Sequence, residues 1–323
     1  MKDAVGREIN YLRISVTDRC NFRCLYCMPE KGIEPKSHPD ILRFEEIIEF
    51  VKAVAPLGIS RVRVTGGEPL VRKGVVEFVR QLRALDGIKD ISMTTNGSML
   101  ASVAEDLKKA GLDRVNISLD SLKPERFHKI TRWGRLKDVL DGIEAALEAD
   151  LTPVKINCVA IRGFNDDEIE DFINLTRNHP IYIRFIELMP LGETVWGTDH
   201  YLSAEEIKAE IKEELLPASA PAGAGPAVYY RVAGAIGAVG FITPISRHFC
   251  NACNRMRLTA DGKLKPCLES DLELDVKTAL REKRGEEELR RIFMEALSKK
   301  PVCHHMVPES GAGYLRRMWQ IGG

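Results

Sequence analysis

Up to about Glu187 the chain alternates short runs of β-branched residues with longer stretches whose apolar positions recur every three or four residues. That is the βα pattern of a parallel sheet. Strands are predicted over residues 11–16, 61–65, 90–95, 114–119, 153–159 and 181–187. Helices are predicted over 44–57, 74–85, 103–110, 136–149 and 166–177, and a sixth over 204–215 with Ser203 as its N-cap. Six βα units suit an α/β fold of the incomplete (β/α)6, TIM-like barrel type, with a doubly wound sheet as the alternative. Residues 217–226 are small, uncharged and rich in proline and glycine. Such a segment cannot pack a core and reads as a mobile loop or linker. Beyond it come β-structure over 228–245 and a charged helical region over 271–298. The expected organisation is a partial barrel, 1–216, a linker, 217–227, and a C-terminal region, 228–323, that closes the barrel.

Composition narrows the functional classes. The 323 residues are 44% hydrophobic and 29% charged, a profile that can bury a substantial core. Lysine plus arginine balances aspartate plus glutamate, 47 against 47, so nothing global draws the chain to nucleic acid or an anionic membrane. Anionic ligands must be held by cations gathered locally. The opening MKDAVGREIN lacks the apolar core of a signal peptide. Residues 232–245 are too few and too glycine-rich to span a bilayer, so a cytoplasmic location is expected. Eight cysteines in a reducing compartment point to metal ligands or reactive thiols rather than disulfides. Three crowd into 20–27 and three into 250–267, while Cys158 reads as a buried apolar residue and Cys303 as an incidental thiol.

Directly after the first strand stands Cys20-Asn-Phe-Arg-Cys24-Leu-Tyr-Cys27. Three thiolates on one short loop can hold three corners of an iron–sulfur cube and leave the fourth iron open. Structural zinc is the plainer alternative, but it usually takes four ligands and no histidine lies nearby. The C-x3-C-x2-C spacing, with aromatic Tyr26 before the third cysteine, resembles the signature of the radical S-adenosylmethionine superfamily. The resemblance implies a [4Fe–4S] cluster whose open iron chelates the methionine end of S-adenosylmethionine, and a radical released by reductive cleavage of the sulfonium. Thr65-Gly-Gly-Glu-Pro69, Thr94-Thr-Asn-Gly97, Ser118-Leu-Asp120 and Glu187-Leu-Met-Pro190 each end a predicted strand, on the rim where barrels build their active sites. By the same resemblance Gly66, Gly67 and Glu68 meet the methionine amino group, Ser118 and Met189 contact the cofactor, and Tyr26 lies beside its adenine.

Four predicted strands carry a cation among apolar neighbours: Arg13 in YLRISV, Arg63 in RVRVT, Lys155 in PVKINCV and Arg184 in IYIRFIEL. Any one of them could face outward and snorkel or pair with an acid. Four together favour a cationic lumen that awaits a multiply charged ligand such as a triphosphate.

The second group, Cys250, Cys253 and Cys267, has C-x2-C-x13-C spacing. In isolation it fits either a second open cluster or a zinc site completed by His248, His304 or His305. Arg255 and Arg257 follow Cys253 and would flank whatever the site holds. VTDRCNFRCLYCMP, RVTGGEPL, TTNG, VNISLD, FIELMP, FCNACNRMRLTADGKLKPCL and the terminal Gly322-Gly323 are together similar to the GTP 3′,8-cyclase family of molybdenum cofactor biosynthesis, over nearly the whole chain. That resemblance implies a second [4Fe–4S] cluster whose open iron contacts guanine. It assigns Arg13, Arg63, Thr94, Lys155, Arg184, Arg255, Met256 and Arg257 to GTP, and brings the Gly322-Gly323 tail into the active site. It further implies a homodimer and a downstream cyclic pyranopterin monophosphate synthase, and leaves the electron donor open. A radical enzyme that modifies peptides, which also carries auxiliary clusters, is the rival within enzymes. A zinc-binding interaction module on an inactive barrel is the rival outside them.

Overall fold

The computed structural model describes residues 1–34, 36–190, 196–223, 225–307 and 316–322. Its β-branched runs form the strands β1 Tyr11–Ser15, β2 Arg61–Thr65, β3 Asp90–Thr95, β4 Arg114–Ser118, β5 Val154–Ala160 and β6 Ile181–Glu187. Each lies parallel to the next in register, Arg13 beside Arg63 and Arg63 beside Ser92. Helices α1 Phe44–Val54, α2 Val75–Arg83, α3 Ala104–Lys109, α4 Pro124–Thr131, α5 Leu136–Glu148 and α6 Ile169–Asn178 cover the outside. Their apolar stripes explain the packing: Ile47, Phe50, Val51 and Val54 of α1 are all buried at helical spacing.

The rest of the chain supplies α7 Ala204–Ala209, then β7 Leu216–Pro217, β8 Val228–Arg231, β9 Ala238–Ile242, β10 Arg255–Leu258, β11 Lys263–Lys265 and β12 Leu274–Asp275. It ends with α8 Lys277–Arg281, α9 Gly285–Ser298 and α10 Met318–Ile321. The twelve strands form one open sheet ordered β12-β11-β10-β1-β2-β3-β4-β5-β6-β9-β8-β7. β9 lies parallel to β6, and β10 lies parallel to β1. The C-terminal region therefore extends both edges of the barrel sheet. The fold is the open, partial TIM-like barrel with a C-terminal extension that the βα alternation predicts, and the doubly wound alternative is set aside.

Three elements depart from expectation. Helix α7 stops at Ala209 rather than running to 215, because the Lys212 amide donates to the Glu170 carboxylate (2.8 Å) instead of continuing the helix. Helix α4 is absent from the sequence reading, since its polar Pro-Glu-Arg-Phe-His-Lys-Ile-Thr run buries little beyond Phe127 and Ile130. Strand β10 was hidden by its own chemistry. Arg255 and Arg257 stand where an inward strand face would ordinarily be apolar, while Met256 is fully buried on the other face. The described residues 218–223 and 225–227 lie between the antiparallel β7 and β8, where the Ala218 amide donates to the Tyr229 carbonyl (3.0 Å).

Candidate active site

The first cysteine loop leaves β1 and folds over the rim of the sheet. Gly66 and Gly67, at the end of β2, run against it so closely that side chains are excluded. A Cβ on Gly67 would lie 2.4 Å from the Arg19 carbonyl oxygen, and one on Gly66 2.7 Å from that of Thr17. The contact is a short ladder: the Gly67 amide donates to Thr17 (2.8 Å) and the Glu68 amide to Arg19 (2.8 Å). Glu68 braces the next strand end, its carboxylate accepting from the Leu70 amide (3.0 Å), the Thr95 hydroxyl (2.7 Å) and the Asn96 amide (2.6 Å). Burial lifts Glu68 to about 7, against the pull of those three donors. Asn96 in turn reaches Asn21 (2.8 Å) on the cysteine loop. Tyr26 donates to the buried Asp120 (2.7 Å), whose other oxygen accepts from the Val159 amide (2.9 Å).

These braces aim Cys20, Cys24 and Cys27 into one cavity of about 460 Å³. Burial raises all three thiols, Cys20 to about 11 and Cys27 to about 12; Cys27 and Cys20 further raise Cys24 by their charge, and Cys20 raises Cys27. Thiols that crowd one another in a buried wall become stable thiolates only around a cationic centre. Among the described residues no His, Cys, Asp or Glu set closes tightly enough on a point to hold one metal ion. Sulfurs spread around a space rather than closed on a point fit an iron–sulfur cube.

Cys250, Cys253 and Cys267 line the same cavity, Cys253 just before β10 beside the start of β1, whereas Cys20 follows the end of β1. The buried Arg7, near the N-terminus, ties this loop down by donating to the carbonyls of Cys250 (2.9 Å), Val302 (3.0 Å) and Pro301 (2.8 Å). Burial works to raise Cys253, but Arg255 and Lys300 outweigh it and bring it to about 6. Cys303 lies against Cys250 and within 3.2 Å of His248 Nδ1, and the His248 and His304 rings lie tilted at 42° with centroids 4.2 Å apart. Two of the three histidines weighed for a zinc site, His248 and His304, thus stand beside this group. Cys158, by contrast, is buried outside it.

Between the two thiol walls lies the cationic lumen. Arg257, Arg13 and Arg63 are direct cross-strand neighbours on β10, β1 and β2, and all are buried. Like charges placed side by side are destabilising without an anion. Burial first, then Arg257 and Arg63, push Arg13 well below its ordinary value. Arg184 donates to Asn157 (2.8 Å) and Asn116 (2.7 Å), and Arg63 to Ser92 (3.2 Å). Among the described residues no carboxylate pairs with Arg63, Arg184 or Arg257. Three cavity-lining polar atoms, Tyr11 Oη, Thr94 Oγ1 and Trp319 Nε1, are buried without a hydrogen-bond partner among the described residues. Buried orphans of this kind mark where ligand atoms belong.

The cavity gathers Arg13, Arg63, Thr94, Arg184, Arg255 and Arg257, and also Tyr26, Gly66, Gly67, Ser118 and Met189. Three anticipated residues do not present their side chains there. Glu68 is spent on the brace just described. Met256 packs in the apolar core, because alternation along β10 turns it away from Arg255 and Arg257. Lys155 is fully buried, its Nζ donating to the Ala222 (2.5 Å) and Gly223 (2.9 Å) carbonyls. The C-terminal tail does enter: Arg257 donates to the Gly322 carbonyl (2.7 Å), and Met318 and Trp319 line the cavity. Gly323 lies outside the described residues. Sequence reasoning missed Tyr11, Arg61, Asn157, Lys300 and Trp319, all cavity residues. Period-two spacing marks Tyr11 with Arg13, Arg61 with Arg63 and Asn157 with Lys155, but nothing local marks Lys300 or Trp319.

Comparison with known proteins fits this geometry to a family. Residues 14–176 match the radical SAM superfamily, and residues 181–306 match the family described as Molybdenum Cofactor Synthesis C. The chain is 54% identical to the GTP 3′,8-cyclase of Heliobacterium modesticaldum and 56% identical to that of Moorella thermoacetica, in each case over 100% of both chains. The chain belongs to the radical SAM superfamily, within the GTP 3′,8-cyclase family. Membership implies S-adenosylmethionine and [4Fe–4S] clusters as cofactors. Among solved structures, the chain resembles Streptococcus suis SuiB bound to S-adenosylmethionine (14% identity, TM-score 0.61, 85% of this chain and 65% of that one). It also resembles SuiB bound to the precursor peptide SuiA (12% identity, TM-score 0.63, 92% and 66%). At such identities the likeness is one of fold.

Proposed function

We propose that this chain cyclises GTP to 3′,8-cyclo-7,8-dihydroguanosine 5′-triphosphate, the first step of molybdenum cofactor biosynthesis. The observation that carries this reading is that both thiol trios and the lumen arginines line one cavity. When bound, the first cluster and S-adenosylmethionine supply the electron and the carbon radical that takes the hydrogen from C3′. The protein's own task is positional, because C3′ must then meet C8 of the same molecule. Arg13, Arg63, Arg184 and Arg257 grip the phosphates, and the second trio's wall, with Arg255, holds the base. Thr94 bonds the nucleotide between these anchors, leaving the ribose facing the first trio. Gly66 and Gly67 offer backbone to the methionine end of S-adenosylmethionine, Ser118 and Met189 contact it, and Tyr26, fixed by Asp120, orders its adenine. The inserted tail around Trp319 and Gly322 narrows the cavity and keeps water from the reacting carbons.

The test is anaerobic reconstitution followed by GTP, S-adenosylmethionine and dithionite. 5′-Deoxyadenosine should form far faster with GTP than without it, alongside the cyclised nucleotide. Equal rates and no cyclised product would defeat the reading. Around this activity we place a cyclic pyranopterin monophosphate synthase that consumes the product, a homodimeric enzyme and a cytoplasmic setting. No helix among the described residues is long and apolar enough to cross a membrane.

A further inference from the structure

A buried cation in the second thiol wall has no carboxylate partner among the described residues. Lys300 follows α9 and lines the cavity together with Cys253 and Cys267. Its Nζ donates to the carbonyls of Arg255 (2.8 Å) and Pro266 (2.5 Å). Arg255 stands two places after Cys253, and Pro266 stands directly before Cys267. One side chain thus ties together the backbone beside two cysteines, at either end of the β10–β11 hairpin. Burial opposes the charge of Lys300 most, and Arg7 and Arg255 add to it, whereas Cys253 and Cys267 favour that charge. Neutral carbonyls alone are weak compensation for a buried cation, so its anion belongs at the sulfurs. The first trio stands in the opposite setting, among Asp120 and Glu68, with Arg23 opposing them at Cys20.

We propose that Lys300 is the built-in countercharge of an iron–sulfur cluster on Cys250, Cys253 and Cys267. It is a positioning residue that retains this cluster and raises its reduction potential. The inference rests on the second trio holding a cluster, and on nothing about the nucleotide. Three thiolates around a [4Fe–4S] core leave a net negative charge, and an added electron makes it more negative. A fixed cation in a buried wall therefore stabilises the reduced cluster more than the oxidised one. The two carbonyl contacts add a clamp, which sets Cys253 and Cys267 relative to each other before iron arrives. The second cluster should accept an electron more readily than the first, whose neighbours are mostly acids.

The experiment is an EPR-monitored redox titration of anaerobically reconstituted holoenzyme, with iron counted per chain and neither GTP nor S-adenosylmethionine added. Cys24→Ala and Cys250→Ala, each left with one intact trio, assign the two signals. In the wild type the second cluster should reduce at the higher potential. Lys300→Gln keeps a donor for the carbonyls and drops the charge. It should lower the second cluster's reduction equilibrium about tenfold or more, about 59 mV for one electron, and leave the first cluster's unmoved. Lys300→Arg keeps the charge and should hold both midpoints near the wild type. Loss of the second cluster's iron from Lys300→Gln but not from Lys300→Arg equally supports the countercharge. An unchanged midpoint in Lys300→Gln overturns it and leaves a plain clamp, as does loss of the cluster from both variants. If neither variant folds, the wild-type order decides: a second cluster reduced at the lower potential overturns the proposal. Wild-type protein with about four irons per chain instead of about eight defeats the two-cluster reading as well.

Discussion

The two thiol walls carry the same three-cysteine chemistry in opposite electrostatic settings. Around Cys20, Cys24 and Cys27 the named charges are mostly acidic: Asp120 raises Cys24 and Cys27, and Glu68 raises Cys20. Around Cys253 the neighbours are Arg255 and Lys300, which bring that thiol down to about 6, while burial, Cys303 and Cys267 raise Cys250 of the same wall to about 11. A wall short of cations suits a ligand that brings positive charge, as a sulfonium and an ammonium do. A wall rich in cations suits an electron-rich or anionic ligand. One cavity therefore sorts two ligands by charge before any finer contact is made.

Removing a cysteine should separate the walls most sharply. Cys24→Ala should abolish 5′-deoxyadenosine formation altogether and reduce iron from about eight to about four per chain, read by metal analysis. Cys250→Ala should lose the same iron but keep reductive cleavage of S-adenosylmethionine while the cyclised nucleotide disappears. If both variants lost cleavage equally, the division of labour would be wrong.

Arg184→Ala removes a buried cation from the lumen and should weaken GTP binding about 10- to 100-fold, as loss of a charged hydrogen bond does. The affinity for S-adenosylmethionine should hold steady, which titration of each ligand separately would check.

A smaller effect is expected from pH. Burial first, then Arg184, Arg114 and Arg63, push Lys155 down to about 6, with Asp90 opposing. Above that pH the nucleotide-free enzyme holds a neutral amine, which still donates to Ala222 and Gly223. Binding a phosphate restores the ammonium, so a proton is taken up and GTP affinity should fall as pH rises above about 6. The slope can be at most about tenfold per pH unit for one proton. Calorimetry in two buffers of different ionisation enthalpy reads that proton directly, and Lys155→Met should lose it.

The smallest change belongs to the first wall. Tyr26→Phe removes the hydroxyl that Asp120 accepts from and should weaken S-adenosylmethionine about fivefold, roughly 1 kcal/mol. GTP affinity should be unaffected.

Much of this was legible in the sequence because strands and metal-binding loops are local. The six barrel strands, the two cysteine trios and the alternation that turns Arg13, Arg63 and Arg184 inward all follow from spacing of two to four residues. What escaped depends on contacts far apart in the chain. Arg7 holds a loop 243 residues away, and Lys300 sits by Cys253 through a turn that nothing near it encodes. Met256 illustrates the opposite limit. Its motif context suggested a ligand contact, but alternation sends its side chain into the core. Glu68 shows that a residue within a cofactor motif can act by bracing its neighbours rather than by facing the cavity.

The most direct measurement is a single turnover of the anaerobic holoenzyme with GTP deuterated at C3′. One cavity that seats S-adenosylmethionine on the first wall and suspends the ribose in front of it should move that deuterium into 5′-deoxyadenosine. Cyclised product formed with no deuterium in the 5′-deoxyadenosine would mean that the two ligands do not meet across this space.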